Sequence, residues 1–142
     1  MYSYTYHGFG QLKKVTSPKG YKEFLYNNKG QLETQIEKSN DVTSTDKSVT
    51  FTYDNKGRIT NRQGTSNGKA YSSYITYDAQ GRSIASGESS NNRYYLKKNV
   101  IYDDKGRVTS YEKGMYSGGT YTKATIENVY APWSGDLYQV KD

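Results

Sequence analysis

Along much of this chain apolar and aromatic residues fall at every second position, the period of a strand with one face turned from water. Stepping back from Tyr53, alternate positions hold Phe51 and Val49. The same step gives Ile75 before Tyr77, Val100 before Tyr102, Phe24 before Tyr26, and Tyr4 with Tyr2 before Tyr6. After each of these tyrosines comes a short polar stretch and then an aliphatic residue, Leu12, Leu32, Ile59 or Val108. In one case Ser83 takes the aliphatic place and Ile84 follows it, a departure that reads as a local bulge. No window sustains an apolar spacing of three and four residues, so the pattern predicts about twelve short strands joined by turns, with no significant helix.

The polar stretches are one motif repeated. Tyr6, Tyr26, Tyr53, Tyr77 and Tyr102 are each followed four residues later by a glycine: Gly10, Gly30, Gly57, Gly81 and Gly106. The next residue is Gln11, Gln31, Arg58, Arg82 or Arg107. With 14 glycines in 142 residues, five hits at one offset arise by chance on the order of once in 10⁵ trials, before discounting for the choice of alignment. Asp54, Asp78 and Asp103, with Asn27 in the second repeat, stand where a short side-chain oxygen accepts backbone N–H groups and opens a type I turn. A glycine at the far end of such a turn takes the left-handed conformation that closes the hairpin.

A sixth, degenerate anchor is Tyr130, where "YAPWSGDL" delays its glycine by one residue, to Gly135, and inserts Pro132 and the only tryptophan, Trp133. Between the hairpins, "SPKGY" (17 to 21), "SNGK" (66 to 69), "SGESSNN" (86 to 92) and "YSGGT" (116 to 120) are rich in turn formers. The polar "KSNDVTSTDKS" (38 to 48) reads as a mobile hairpin tip. The expectation is an all-β chain of consecutive antiparallel hairpins in one extended, twisted and curved sheet. Residues 1–142 are expected to form a single array of five to six repeats, a segment of a longer protein.

Composition makes tyrosine the packing material. Only 32% of residues are hydrophobic, yet 17 are tyrosine, so thin layers of rings are expected in place of a thick aliphatic core. A single sheet of this kind hides little, and self-association through its open edges is expected. The formal charge is +6, but Lys and Arg are scattered through the repeats and mixed with Asp and Glu. That distribution guards strand edges and argues against a nucleic-acid partner. With no cysteine there is no disulfide or thiolate site. No apolar run approaches the ~20 residues of a membrane helix, and "MYSYTYHGFG" lacks the pattern of a signal peptide.

Candidate chemistry is sparse, and no catalytic, cofactor-binding or metal-binding residue is assigned. The only histidine, His7, occupies the variable turn position, where solvent exposure is expected. Asp54, Asp78 and Asp103 recur with their turns, so they read as caps along an edge, not as carboxylates converging on a cleft. "YDDKG" and "SNDVTSTD" lack calcium-loop spacing, and "YSGGTY" lacks the Lys and the helix of a phosphate loop. Exposed tyrosines remain, Tyr71, Tyr74, Tyr94, Tyr95, Tyr111, Tyr116 and Tyr121, which can stack on one another or on a sugar ring. Trp133, Tyr94, Tyr95 and Tyr116 are the candidate contacts for a glycan or protein partner.

"YDNKGRI", "YDAQGRS" and "YDDKGRV", recurring with tyrosine-rich strands between them, resemble the YD repeats of RHS-type proteins: Tyr-Asp, two variable residues, Gly-Arg and an aliphatic residue. The resemblance covers about residues 2 to 138. The first two repeats lack the Asp and carry Gln for Arg. In that family consecutive hairpins build a long sheet that spirals into a hollow shell. The shell encloses a toxic domain in polymorphic toxins and insecticidal toxin complexes, and forms part of an adhesion receptor in teneurins. The resemblance therefore implies a secreted or cell-surface parent protein and a role as wall material.

Overall fold

Each glycine that follows an anchor tyrosine by four residues sits at a chain reversal. In the computed structural model, which describes residues 1–141, Gly30, Gly57, Gly81 and Gly106 have φ of 78°, 81°, 86° and 78°. An L side chain there meets its own following carbonyl, so glycine is the residue that closes this hairpin without strain. Twelve antiparallel strands form one open sheet whose order follows the chain, β1 to β12, and there is no helix among the described residues.

The chain divides into two compact halves, Met1–Ser72 and Ser73–Asp142. The first holds β1 (Ser3–Tyr6), β2 (Leu12–Ser17), β3 (Gly20–Tyr26), β4 (Leu32–Ser39), β5 (Lys47–Tyr53), β6 (Ile59–Ser66) and the start of β7 (Lys69–Tyr77). The second holds the remainder of β7 with β8 (Ser83–Ser90), β9 (Arg93–Tyr102), β10 (Val108–Ser117), β11 (Thr120–Tyr130) and β12 (Leu137–Lys141).

Two kinds of turn alternate. The Tyr-anchored turns are five-residue loops closed by glycine, with six residues after Tyr130. Three of the other ends are tight two-residue loops with both residues at positive φ: Asn67 and Gly68 (51° and 70°), Asn91 and Asn92 (51° and 60°), Gly118 and Gly119 (58° and 85°). These are the primed turns whose twist suits a hairpin, and asparagine and glycine tolerate them best. The break expected across 86 to 92 is confined to its last two residues, because β8 continues to Ser90 and buries Gly87.

The loop after β4 is anchored at its first residue: Asn40 donates through its backbone to the Lys19 carbonyl at 3.0 Å and through its side chain to that of Pro18 at 3.1 Å. Asp41 accepts the Thr43 backbone N–H at 2.9 Å and its hydroxyl at 2.7 Å. Register slips accompany several anchors, between Thr5 and Tyr6, Leu25 and Tyr26, Thr52 and Tyr53, and Val129 and Tyr130. The cause is shared: the glycine-closed loop adds one residue opposite the tyrosine.

Burial is thin, as tyrosine packing implies. Among the described residues the only buried apolar side chains are Val100, Ile126 and Ala131. The chain exposes 9945 Å², about a third more than the roughly 7,400 Å² of a compact monomer of this mass. Stability must therefore come from strand pairing and from contacts that run between hairpins.

Candidate functional site

The side chains that recur in sequence are joined into a recurring latch. Within the third repeat, Asp54 Oδ1 accepts the backbone N–H groups of Lys56 and Arg58 at 2.9 and 3.0 Å, and Oδ2 accepts Arg58 Nε at 2.8 Å. The Gly57 N–H returns to the Asp54 carbonyl at 3.1 Å. Asp78 with Arg82 and Asp103 with Arg107 repeat the arrangement, each Nε–Oδ2 distance being 2.8 Å. In the second repeat Asn27 and Gln31 substitute as a matched pair: Asn27 Oδ1 accepts two backbone N–H groups, and its amide donates to Gln31 Oε1 at 2.9 Å.

These bonds favour the charged carboxylate. The Arg58 backbone N–H, aided by the guanidinium and the Lys56 N–H, holds the Asp54 carboxyl below its ordinary value, and Arg107 and Lys105 do the same for Asp103. For Asp78 lost hydration is the largest effect and pushes upward, but the Arg82 backbone N–H and guanidinium outweigh it, and the net direction is again down.

The latch then reaches across hairpins. Tyr26 donates its hydroxyl to the Leu12 carbonyl at 3.0 Å, Tyr53 to Leu32 at 2.6 Å, Tyr102 to Ser83 at 2.6 Å, and Tyr130 to Val108 at 2.7 Å. In each case the acceptor lies two residues past the glycine of the preceding turn. The Arg82 guanidinium lies over the Tyr102 ring, 4.4 Å from its centroid, and Arg107 over Tyr130 at 4.3 Å. Arg107 also donates to the Gly135 carbonyl at 3.2 Å, and Gln11 donates to that of Gly30 at 2.9 Å. The irregular "YAPWSGDL" turn keeps this geometry, with Gly135 at φ 75° and its N–H on the Ala131 carbonyl at 2.8 Å.

His7 is half-buried in the same system, not exposed as expected. Its Nε2 lies 3.2 Å from the Phe24 carbonyl, and its ring meets Tyr26 edge to face at 5.7 Å. The imidazole is long enough to reach the next hairpin from a place where aspartate turns back on its own.

Of the candidate ligand contacts, Tyr94 and Tyr116 stand opposite each other on adjacent strands. Tyr95 pairs with Met115 one residue on, on the other face of the sheet. Trp133 lies in the β11–β12 turn, 80% exposed and edge to face with Tyr138 at 6.3 Å. Tyr71, Tyr74, Tyr94 and Tyr111 are half-buried where exposure was expected, while Tyr95, Tyr116 and Tyr121 are exposed. For Tyr71 and Tyr74 the seats are glycines that sequence reasoning passed over: a Cβ at Gly64 would stand 3.0 Å from the Tyr71 hydroxyl, and the Tyr74 ring lies against Gly87. Tyr94 donates to the Tyr74 hydroxyl at 3.4 Å, and that bond together with burial pushes the Tyr94 phenol up to about 12.

A shallow cleft of about 480 Å³ in the first half is lined by Lys19, Lys22, Lys38 and Lys47 with Tyr2 and Tyr21. Two of its cations already face carboxylates, Lys22 with Glu37 at 3.4 Å and Lys38 with Asp46 at 3.0 Å. Among the described residues no three His, Cys, Asp or Glu side chains converge where a metal ion could sit.

The repeated latch and the strand order define an architecture that can be compared directly. No protein-family model matches the chain, and no curated protein matches it in sequence. In structure it is similar to a chain of the solved Tc holotoxin pore of Photorhabdus luminescens, with a TM-score of 0.75 over 96% of this chain. The two share a fold. Identity across the match is 16%, and the match takes up 8% of the toxin chain, so this chain is similar to one short section of a far longer polypeptide. The Tyr-Asp motif, which resembles RHS-type repeats, and the structural likeness to a toxin-complex chain agree on the architecture.

Proposed function

We propose that the chain is a non-catalytic structural length of a larger secreted or cell-surface RHS/YD-repeat protein, part of a β-shell that encloses or presents another domain such as a toxin. One observation supports this above the rest: the repeated polar groups are directed at neighbouring hairpins. Four anchor hydroxyls hold the preceding hairpin, and two guanidiniums cover the tyrosine of the following one. Groups engaged in this way suit a wall, and among the described residues these repeated groups form no convergent pair for acid, base or nucleophile chemistry.

The test begins with the complete reading frame, which is expected to contain a long run of further Tyr-Asp repeats and an exported amino end. Limited proteolysis of the intact protein should then spare an enclosed domain that is cut quickly when expressed alone. A frame without further repeats, or an embedded domain cut as fast as the free one, would overturn the shell reading.

A second reading, an extracellular carbohydrate- or protein-binding module, draws on the exposed indole of Trp133 held by Tyr138. Reproducible binding on a glycan array that disappears in Trp133→Ala would favour it over the wall role, and no binding to any glycan would remove its carbohydrate form.

A further inference from the structure

The excess positive charge is unevenly shared between the two halves of the chain. Residues 1–72 hold eleven Lys and Arg against six Asp and Glu, whereas residues 73–142 hold nine against eight. Strand register gathers part of that excess on one face of the first half. Val15, Lys22, Glu37 and Lys47 stand opposite one another in turn across β2 to β5, and beside them runs a row of small residues, Ser17, Gly20 and Ser39. Both rows line the shallow cleft of about 480 Å³, a volume within the range of small-ligand sites. Lys19 lines it from the β2–β3 turn, and Ser44 and Thr45 line it from the loop after β4. The two Asn40 hydrogen bonds to the Pro18 and Lys19 carbonyls hold that loop against that turn.

The groups free to bind in this cleft are donors. Among the described residues the Lys19 and Lys47 ammonium groups have no ion-pair partner, and the Ser44 and Thr45 hydroxyls have no hydrogen-bond partner. Lys22 and Lys38 hold Glu37 and Asp46, but all four side chains are roughly half exposed, and pairs so exposed contribute little and exchange readily with a ligand anion. The carboxylates they hold show the charge the cleft accepts. Every cation here is a lysine, a point charge on a flexible stem that follows an anion where it falls, in contrast to the fixed fork of arginine. Bases and peptide groups bring donors of their own, while both neighbouring carboxylates are taken. Lys14 lies over the Tyr21 ring, 3.7 Å from its centroid, so that ring gives a base no open platform.

We propose that this cleft binds a stretch of linear acidic glycan, a polymer bearing sulfate or carboxylate groups. Lys19 and Lys47 meet its anions, the Ser44 and Thr45 hydroxyls donate to its oxygens, and Lys22 and Lys38 join them as ligand anions displace Glu37 and Asp46. A concave site lined by one sign of charge also draws such a polymer in from solution. The four lysines belong to β3, β4, β5 and the β2–β3 turn, and β2 to β5 are each paired on both sides, so the site needs no open edge. It shares no residue with the Trp133 reading and stands apart from the shell reading.

Calorimetric titration of the 142-residue chain with a heparin hexasaccharide tests it, beside uncharged maltohexaose and a single-stranded DNA of equal charge. The sulfated sugar should bind, and its affinity should fall as salt rises. Lys19→Gln with Lys47→Gln should weaken binding at least about tenfold. Lys105→Gln with Lys123→Gln removes the same charge from the second half and should change it less than about twofold. Glu37→Gln with Asp46→Asn should strengthen binding, because the lysines lose their competing anions, a gain that a merely structural role for these pairs would not produce. Circular dichroism checks that each variant keeps its fold. Absence of binding, equal losses from the two lysine pairs, a weaker complex in the carboxylate variant, or maltohexaose or DNA bound as tightly as the sulfated sugar would each overturn the proposal.

Discussion

Replacing Tyr53 by phenylalanine removes one oxygen and leaves the ring. That oxygen donates to the Leu32 carbonyl at 2.6 Å in a half-buried position. A neutral hydrogen bond of this kind contributes about 1 kcal/mol net, within roughly 0.5 to 1.5, and the phenylalanine ring retains the packing. Unfolding entropy near 2.1 cal/mol/K per residue amounts to about 0.3 kcal/mol/K for the whole chain, so the expected fall in Tm is about 3 °C. If Met1–Ser72 unfolds as its own cooperative body, the same loss lowers its transition by about 7 °C. Tyr102→Phe, whose hydroxyl lies 2.6 Å from the Ser83 carbonyl, should cost the same and act on the second half. Tyr6→Phe is the internal control, because that hydroxyl holds no preceding hairpin. Thermal and urea transitions followed by circular dichroism and tyrosine fluorescence, at a concentration where the chain is monomeric, measure all three. A Tyr53→Phe chain indistinguishable from Tyr6→Phe would refute the latch as a source of stability.

Gly87→Ala places a methyl against the Tyr74 ring and should destabilise by about 1 to 3 kcal/mol. Gly8→Ala, with open space around it and no positive φ, should be neutral or slightly stabilising in the same urea titration. Gly57→Ala, at φ 81°, should lose about 1 to 2 kcal/mol, and Gly57→Asn less. The turn aspartates have folded values below their unfolded ones, so their contribution is complete above about pH 4. It is lost as acid carries pH down through the depressed folded values, and Tm against pH should bend downward there. Asp54→Asn with Arg58→Gln copies the uncharged pair of the second repeat, and should flatten that bend while harming stability less than either change alone.

How far the fold was legible depended on whether its cause was local. Gly30, Gly57, Gly81 and Gly106 could be placed because a left-handed turn residue constrains its own position, and the period-two flanks followed from one buried face. Asn67, Asn91 and Asn92 marked tight turns for the same reason, although the break at 86 to 92 was drawn too wide because Gly87 looked like a turn former. In fact Gly87 is a mid-strand seat for Tyr74, a role set by a residue on another strand. His7 misled similarly: its turn position pointed to water, and its partner, the Phe24 carbonyl, lies seventeen residues away. The tyrosine hydroxyl bonds were invisible because any carbonyl can accept, and only the register decides which one does. The pairing of Asn27 with Gln31 was readable in principle, since both departures from the motif occur in one repeat and replace an ion pair with an amide pair.

The hydroxyl latch points one way along the polypeptide. Each tyrosine grips a carbonyl that lies between 14 and 22 residues earlier, never one yet to be made. A chain leaving the ribosome therefore has the carbonyl for each of these hydroxyls already laid down, while the Gln11 and Arg107 side chains wait for the hairpin that follows. Its contacts are short in sequence for a β protein, which favours quick addition of one hairpin at a time. Assembly in the order of synthesis follows, with the newest strand as the growing end.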